Sequence, residues 1–210
     1  MSILTTHEKR LEALSEATLK GVSMALGMSE TWLGEQHKGA LTSLHTNHYP
    51  EVTRSFLETG SGDRSGTHLD LDTLTIFVQD PTGGLEVAHM GSTVEESSLR
   101  VGQTAVFLPV SPSPGSIFVS GGHMLARYSN GTWRGGVHRV SIPSGPADDM
   151  CAQRFSLTFH VYPDPDVVVQ PLEKYRKPGD ALKYKRIVAG QFLRQKRQQI
   201  YKQTTAPGFT

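Results

Sequence analysis

Two histidines and an aspartate stand at positions from which they could share a metal ion. His68 and Asp70 flank a single leucine, just after the glycine-rich stretch Gly60–Gly66 and at the mouth of the β-type run Thr73–Gln79. Residues two apart in a strand point to the same face, so this imidazole and carboxylate could meet one ion. Taken alone, such a pair is more simply a structural hydrogen bond. A third ligand would have to come from far along the chain. His138, 70 residues beyond His68, opens another β-type run after the turn Ser129-Asn130-Gly131. Two imidazoles and one carboxylate on one face of an octahedron leave three positions open, which suits Fe(II) with ligands drawn from solution. Arg154 and Ser156 also share a strand face and could present a guanidinium fork and a hydroxyl to one carboxylate. A dicarboxylic acid chelating the metal at one end would then be anchored at the other.

The remaining titratable groups invite duller readings. His7, His37, His45, His48, His89, His123 and His160 are expected at the surface or in structural hydrogen bonds, although His160 shares strand parity with Arg154 and Ser156. Cys151 is the only cysteine, which excludes an intrachain disulfide and a finger-type zinc site. Asp148 and Asp149 beside it discourage thiolate formation in what reads as a polar loop, so it makes a poor nucleophile. Trp32 and Trp133 are accounted for by packing.

Elements that can position these groups follow from periodicity. Residues 8–27 predict an opening helix, with Leu11, Leu14, Thr18, Val22 and Ala25 at helical spacing and Gly27 as its C-terminal cap. Ser29 followed by Glu30 to Gln36 predicts a short helix with an N-cap. Seven β-type runs come next: Leu41–His48, Thr73–Gln79, Leu85–Ala88, Thr104–Val110, Ser116–Ser120, Val137–Ile142 and Gln153–Val161. Breaks at Gly60–Gly66, Asp80–Gly84, Ser111–Gly115, Asn130-Gly131 and Pro143–Pro146 separate them, which argues for an antiparallel sandwich or barrel over about 41–162. A closing helix is expected over about 180–202, with Ile187, Val188, Gln191, Phe192 and Ile200 facing inward. At 210 residues the chain suits one domain spanning 1–210.

Charge is balanced overall but not along the chain. Residues 173–210 hold 10 of the 21 Lys and Arg and only 2 of the 20 Asp and Glu. A solvated helix face is the simpler reading of that excess than a nucleic-acid or membrane surface, because no aromatics are interleaved for stacking on bases. No apolar run approaches the roughly 18 residues that cross a bilayer, and the N-terminus turns charged before a signal peptide could form. A soluble, cytoplasmic protein with a small-molecule partner is expected.

Several segments, in order, resemble the isopenicillin N synthase-like 2-oxoglutarate/Fe(II) dioxygenases. They are His68-Leu69-Asp70, Leu74 to Asp80, Gly83 to Val87, Pro114-Gly115-Ser116, Tyr128 to Gly131, His138-Arg139-Val140 and Arg154-Phe155-Ser156, with Asn47-His48-Tyr49-Pro50 similar to the family's Asn-x-Tyr-Pro element. The likeness runs over roughly residues 8–202. It implies a mainly β double-stranded β-helix (jelly-roll) barrel with flanking helices. It also implies Fe(II) held by His68, Asp70 and His138, and 2-oxoglutarate contacted by Arg154, Ser156 and Tyr49. The implied activity is an oxidoreductase of secondary metabolism that couples O2 and conversion of 2-oxoglutarate to succinate to the hydroxylation, desaturation or cyclisation of a small molecule. Two alternatives share the motifs: an oxidase that does without 2-oxoglutarate, and a binding protein on the same barrel that has lost turnover. Family members usually carry a further N-terminal portion over the active-site mouth, and this sequence starts at the helix that follows it, so a more open mouth or one completed by a second subunit is expected. Gly122-His123 replaces the family's Gly-Asp, and Gly91–Gln103 is longer than usual.

Overall fold

Each of the seven β-type runs forms a strand in the computed structural model, which describes residues 3–39, 41–58, 63–89, 105–142, 146, 149–176, 179 and 181–204. In chain order the elements are α1 (Ile3–Ala25), α2 (Trp32–Glu35), β1 (Thr42–Tyr49), β2 (Val52–Thr53), α3 (Arg54–Glu58), β3 (Asp63–His68), β4 (Leu74–Gln79) and β5 (Leu85–His89). There follow β6 (Val106–Pro109), β7 (Phe118–Gly121), α4 (His123–Tyr128), β8 (His138–Ser141), β9 (Met150–Cys151), β10 (Arg154–Val161), β11 (Val168–Val169), a 3-10 turn (Glu173–Tyr175), β12 (Ile187–Val188) and α5 (Ala189–Thr204). The expectation for Gly91–Gln103 lies outside the described residues.

Two four-stranded antiparallel sheets form the body, one ordered β1-β10-β4-β7 and the other β3-β8-β5-β6. Strands close in sequence fall in opposite sheets, β4 in one and β5 in the other, β7 in one and β8 in the other, which is the jelly-roll arrangement. The jelly roll expected is thus present, and among the described residues no ladder joins its two sheets, so they face each other as an open sandwich. The physical consequence is space: a small closed barrel fills its interior with side chains, whereas the open pair leaves a cavity of about 660 Å³ lined by both sheets.

The principal core lies on the other face of the first sheet. Leu74, Ile76, Phe159 and Val161 pack there against Leu11, Leu19, Leu26, Leu33, Phe192 and Leu193 from the helical segments. Each fully buried large apolar side chain contributes roughly 1.5–3 kcal/mol, so this layer holds the sheet that carries the site. The residues α1 buries fully are Leu11, Ser15, Leu19 and Ser23, while Leu14 and Val22 of the expected stripe are half-buried against the same core. Ala25 is exposed and Thr18 half-buried, because the serine side chains bond back to the helix, Ser23 Oγ to Leu19 O at 2.8 Å, and let α2 approach closely. Gly27 (φ 68°) ends α1 as expected: its N–H donates to Met24 O and that of Met28 to Ser23 O. The Ser29 N-cap does not form. Its carbonyl accepts from Trp32 N, and no side chain caps α2.

Three further regions differ from what the sequence predicts. The stretch Gly60–Gly66, expected to be a break, feeds β3 from Asp63 onward. The Cys151 segment is the short strand β9, paired with β2, and its thiol is buried rather than in an open polar loop. The closing helix starts nine residues later than expected, since Ile187 and Val188 pair with Val169 and Val168 as β12. Its inward residues are Ala189, Phe192 and Leu193, while Gln191 and Ile200 are exposed. No helix among the described residues is long and apolar enough to cross a membrane.

Candidate metal centre and co-substrate pocket

β3 and β8 are antiparallel neighbours in register such that His68 and His138 are direct partners. Their rings lie 4.3 Å apart between centroids. Strand pairing thus removes the 70-residue separation. Asp70 is not in the strand with His68. It lies in the bend that carries the chain from β3 to β4, that is, from one sheet to the other, and this bend turns its carboxylate toward both imidazoles. Asp70 Oδ1 is 3.7 Å from His68 Nε2, and Asp70 Oδ2 is 3.8 Å from His138 Nε2. These are too long for hydrogen bonds, yet atoms that each bind a first-row divalent ion at about 2.0–2.2 Å can be up to about 4.4 Å apart.

The two histidines are oriented alike. His68 Nδ1 is 2.7 Å from Gly66 O and His138 Nδ1 is 2.8 Å from Gly136 O. A carbonyl only accepts, so each Nδ1 carries the proton and each Nε2 keeps its lone pair toward Asp70. Burial lowers the pKa of His138, which keeps that imidazole neutral as ligation requires, against the opposing pull of Asp70. The donor set, its spacing and the orientation of both rings therefore fit one divalent ion.

Asp70 is held from behind by a network that the sequence reading missed. Thr75 Oγ1 lies 2.5 Å from Asp70 Oδ2 and 2.7 Å from Asp72 Oδ2, and His160 Nδ1 lies 2.8 Å from Asp72 Oδ2. Thr75 has one hydroxyl proton for two carboxylates, and Asp72 is fully buried. Burial, together with the charge of Asp70, pushes the Asp72 carboxyl up to about 6 despite its bonds to His160 and Thr75. Burial alone would lower His160, but Asp72 and Asp70 raise it. Asp70, Asp72 and His160 come close enough to count as a second group of possible ligands, but the 2.8 Å contact makes Asp72 and His160 hydrogen-bonded partners. Strand parity was the available signal for His160. Nothing in the sequence pointed to Asp72, because the chain bends between His68 and Leu74.

Arg154 and Ser156 do share a face, as parity predicts, and both line the cavity with Tyr49. The register pairs Tyr49 with Arg154, whose guanidinium carbon is 5.1 Å from the Tyr49 ring centroid. Arg154 is buried and tethered: Nε donates to Gly83 O at 2.6 Å, Nη1 to Ser156 Oγ at 2.7 Å and Nη2 to Gln79 Oε1 at 3.3 Å. Of five N–H donors, one remains on each terminal nitrogen, which is the fork that a carboxylate accepts. Ser156 accepts from Arg154 and keeps its own proton to donate.

Of the other histidines, His37 is a structural one as expected, with Nδ1 2.6 Å from Leu33 O and Nε2 2.9 Å from Thr73 Oγ1. His45 and His123 line the cavity, as does His160, which also keeps its hydrogen bond to Asp72. Burial and the neighbouring Arg127 and Lys196 push the pKa of His123 down to about 4.

Residues 42–163 match the family described as the 2OG-Fe(II) oxygenase superfamily. The 2-oxoglutarate-dependent dioxygenase gloF of Glarea lozoyensis is 32% identical over 167 residues, covering 78% of this chain and 47% of that protein. The 2-oxoglutarate-dependent dioxygenase lolO2 of Epichloe uncinata is 32% identical over 194 residues, covering 86% of this chain and 50% of that one. The chain spans about half the length of the curated relatives it matches. Among solved structures, full-length Neurospora crassa T7H in complex with alpha-KG superposes with a TM-score of 0.79 at 23% identity, over 94% of this chain and 56% of that one. JOX2 in complex with 2OG, Fe and JA gives a TM-score of 0.67 at 24% identity, over 90% and 50%. With the jelly-roll sandwich and the match over residues 42–163, the chain belongs to the 2OG-Fe(II) oxygenase superfamily.

Proposed function

We propose that the chain is the catalytic domain of a 2-oxoglutarate- and Fe(II)-dependent dioxygenase acting on a small organic molecule. The observation that carries this reading is that one cavity is lined by the His68, Asp70 and His138 group and by the buried Arg154–Ser156 pair. His68 and His138 would hold the metal through Nε2 and Asp70 through its carboxylate. When bound together, iron and the keto acid supply the oxidative chemistry, in which O2 and 2-oxoglutarate become succinate and CO2 as substrate is oxidised.

The protein's own part is ligation and orientation. Gly66 O and Gly136 O fix the tautomers of the two imidazoles, and Thr75 holds Asp70. Arg154, already positioned by Gly83 and Gln79, would clamp the distal carboxylate of the co-substrate with Ser156 and Tyr49. Phe77, Leu85 and Val140, which pack together across the two sheets, would keep that end of the cavity dry. Roles in secondary metabolism and in the cytoplasm belong to the same reading, supported by the naming of the fungal relatives and by a lone buried cysteine.

The test is anaerobic calorimetry with 2-oxoglutarate and a redox-inert divalent metal, followed by measurement of succinate with Fe(II) and O2. Metal-dependent binding of 2-oxoglutarate and succinate formation are expected. No binding of 2-oxoglutarate, combined with O2 consumption on addition of an organic substrate alone, would assign the chain to the oxidases instead.

A further inference from the structure

Building on that functional reading, we infer that the cavity's mouth at α5 is a binding site for an anionic group on the substrate, with Arg197 and Lys196 as its cations. The inward face of α5 explains why they are there. Leu193, Lys196, Arg197 and Ile200 share one side of the helix by their three- and four-residue spacing. Leu193 is buried in the core, and one turn later the same side of the helix lines the cavity. The positions that would otherwise continue the apolar stripe there are a lysine and an arginine, and both line the cavity.

The charge inventory of the cavity makes these two residues informative. Among the described residues four charged side chains line it: Asp70, Arg154, Lys196 and Arg197. Asp70 is committed to the metal and Arg154 to the co-substrate. Among the described residues neither Lys196 nor Arg197 takes part in an ion pair. Arg197 lies over the Tyr162 ring, 5.7 Å from its centroid, and Lys196 near Phe192 at 5.8 Å. Two cations beside aromatic surface, facing a partly enclosed space, favour an oxyanion with an apolar body.

These cations are not a second grip on 2-oxoglutarate. The even-numbered residues of the β10 segment, Arg154, Ser156, Thr158, His160 and Tyr162, all line the cavity. At about 3.3 Å per residue the strand positions of Arg154 and Tyr162 are about 26 Å apart, far beyond the reach of a five-carbon diacid. Asp70 lies toward the Tyr162 end, 4.0 Å from His160 Nδ1. A substrate whose anionic group is held at α5 would therefore extend its body past His160 toward the metal, from the side opposite Arg154.

Binding of model anions to the full chain, loaded with a redox-inert metal and saturated with 2-oxoglutarate, tests this directly. Phenylacetate, hexanoate and N-acetylphenylalanine are compared with their primary amides, and phenyl phosphate forms a separate arm that distinguishes carboxylate from phosphate. At least one anion should bind tenfold or more tightly than its neutral counterpart, and Arg197→Gln should remove about tenfold of that affinity, with Lys196→Gln losing less. Arg197→Lys should restore part of it. Affinity for 2-oxoglutarate should change less than twofold in all three variants. No anion preference, or an anion preference untouched in the Lys196→Gln/Arg197→Gln double variant, overturns the inference, as does a loss of 2-oxoglutarate affinity equal to that for the anions. Titration of 2-oxoglutarate into the metal-loaded wild type is read separately, so failure of the co-substrate reading is distinguishable from failure of this one.

Discussion

The β10 strand has a charged group over a tyrosine at each end of one cavity, yet the two ends are built differently. Arg154 is 2% exposed and spends three donors on Gly83, Ser156 and Gln79 before any ligand arrives. Arg197, at the Tyr162 end, is exposed and projects from a helix that overhangs the cavity. The first arrangement is rigid and suits a ligand of fixed size that every turnover needs. The second keeps two long side chains whose positions can adapt, which suits the variable partner of the reaction. Between them stands the His68, Asp70 and His138 group, whose geometry depends on strand pairing and not on either end.

That contrast can be broken most severely at the centre. Asp70→Ala and His138→Ala should each abolish stoichiometric binding of one Fe(II) per chain, because each removes one of three ligands from an ion that has no other protein donors in the group. Metal analysis after gel filtration checks this, and undiminished iron in both variants would show that the metal lies elsewhere.

A pH titration probes the α5 end. The pKa of His123 is lowered to about 4 by burial, Arg127 and Lys196, whereas an unfolded histidine titrates near 6.5. Between those values the unfolded chain binds a proton that the folded chain refuses, so this residue's contribution to stability is complete above about 6.5 and is lost as the pH falls toward 4. The loss amounts to up to about 3 kcal/mol. Urea midpoints from pH 7.5 to 4.5 should therefore fall more steeply for the wild type than for His123→Gln. Parallel curves would exclude a buried neutral His123.

The smallest effects are expected at the Arg154 end, where they rank the three groups. Arg154→Ala should raise the dissociation constant of 2-oxoglutarate about tenfold or more, through loss of charge-assisted hydrogen bonds. Arg154→Lys should recover part of that loss, since an ammonium lacks the fork. Tyr49→Phe should cost less than either. Calorimetry under anaerobic conditions orders them, and a larger loss in Tyr49→Phe than in Arg154→Ala would reverse the assignment of the clamp.

Sequence alone determined whatever depended on local periodicity. Short β-type runs between Gly-, Pro- and Ser-rich breaks located the seven strands, and strand parity put Arg154, Ser156 and His160 on one face. Gly27 marked the end of α1 because a left-handed residue was needed there. Local pattern was silent on α4, a six-residue helix buried on all sides with no polar face to give it a period. It also passed over Ser15 and Ser23 on the buried face of α1, where serine is tolerated because its hydroxyl bonds within its own helix. Ile187 and Val188 read as inward positions of the closing helix, and only the presence of Val169 and Val168 beside them made a strand. His68, Asp70 and His138 could be named from spacing and resemblance, but their meeting required the pairing of β3 with β8 and a bend between sheets. The Asp72–Thr75–His160 network and the cations of α5 were decided by tertiary structure altogether. Which carboxylate a buried threonine reaches, and where a helix face outruns the sheet beneath it, are distances between segments remote in the chain, and no local periodicity encodes them.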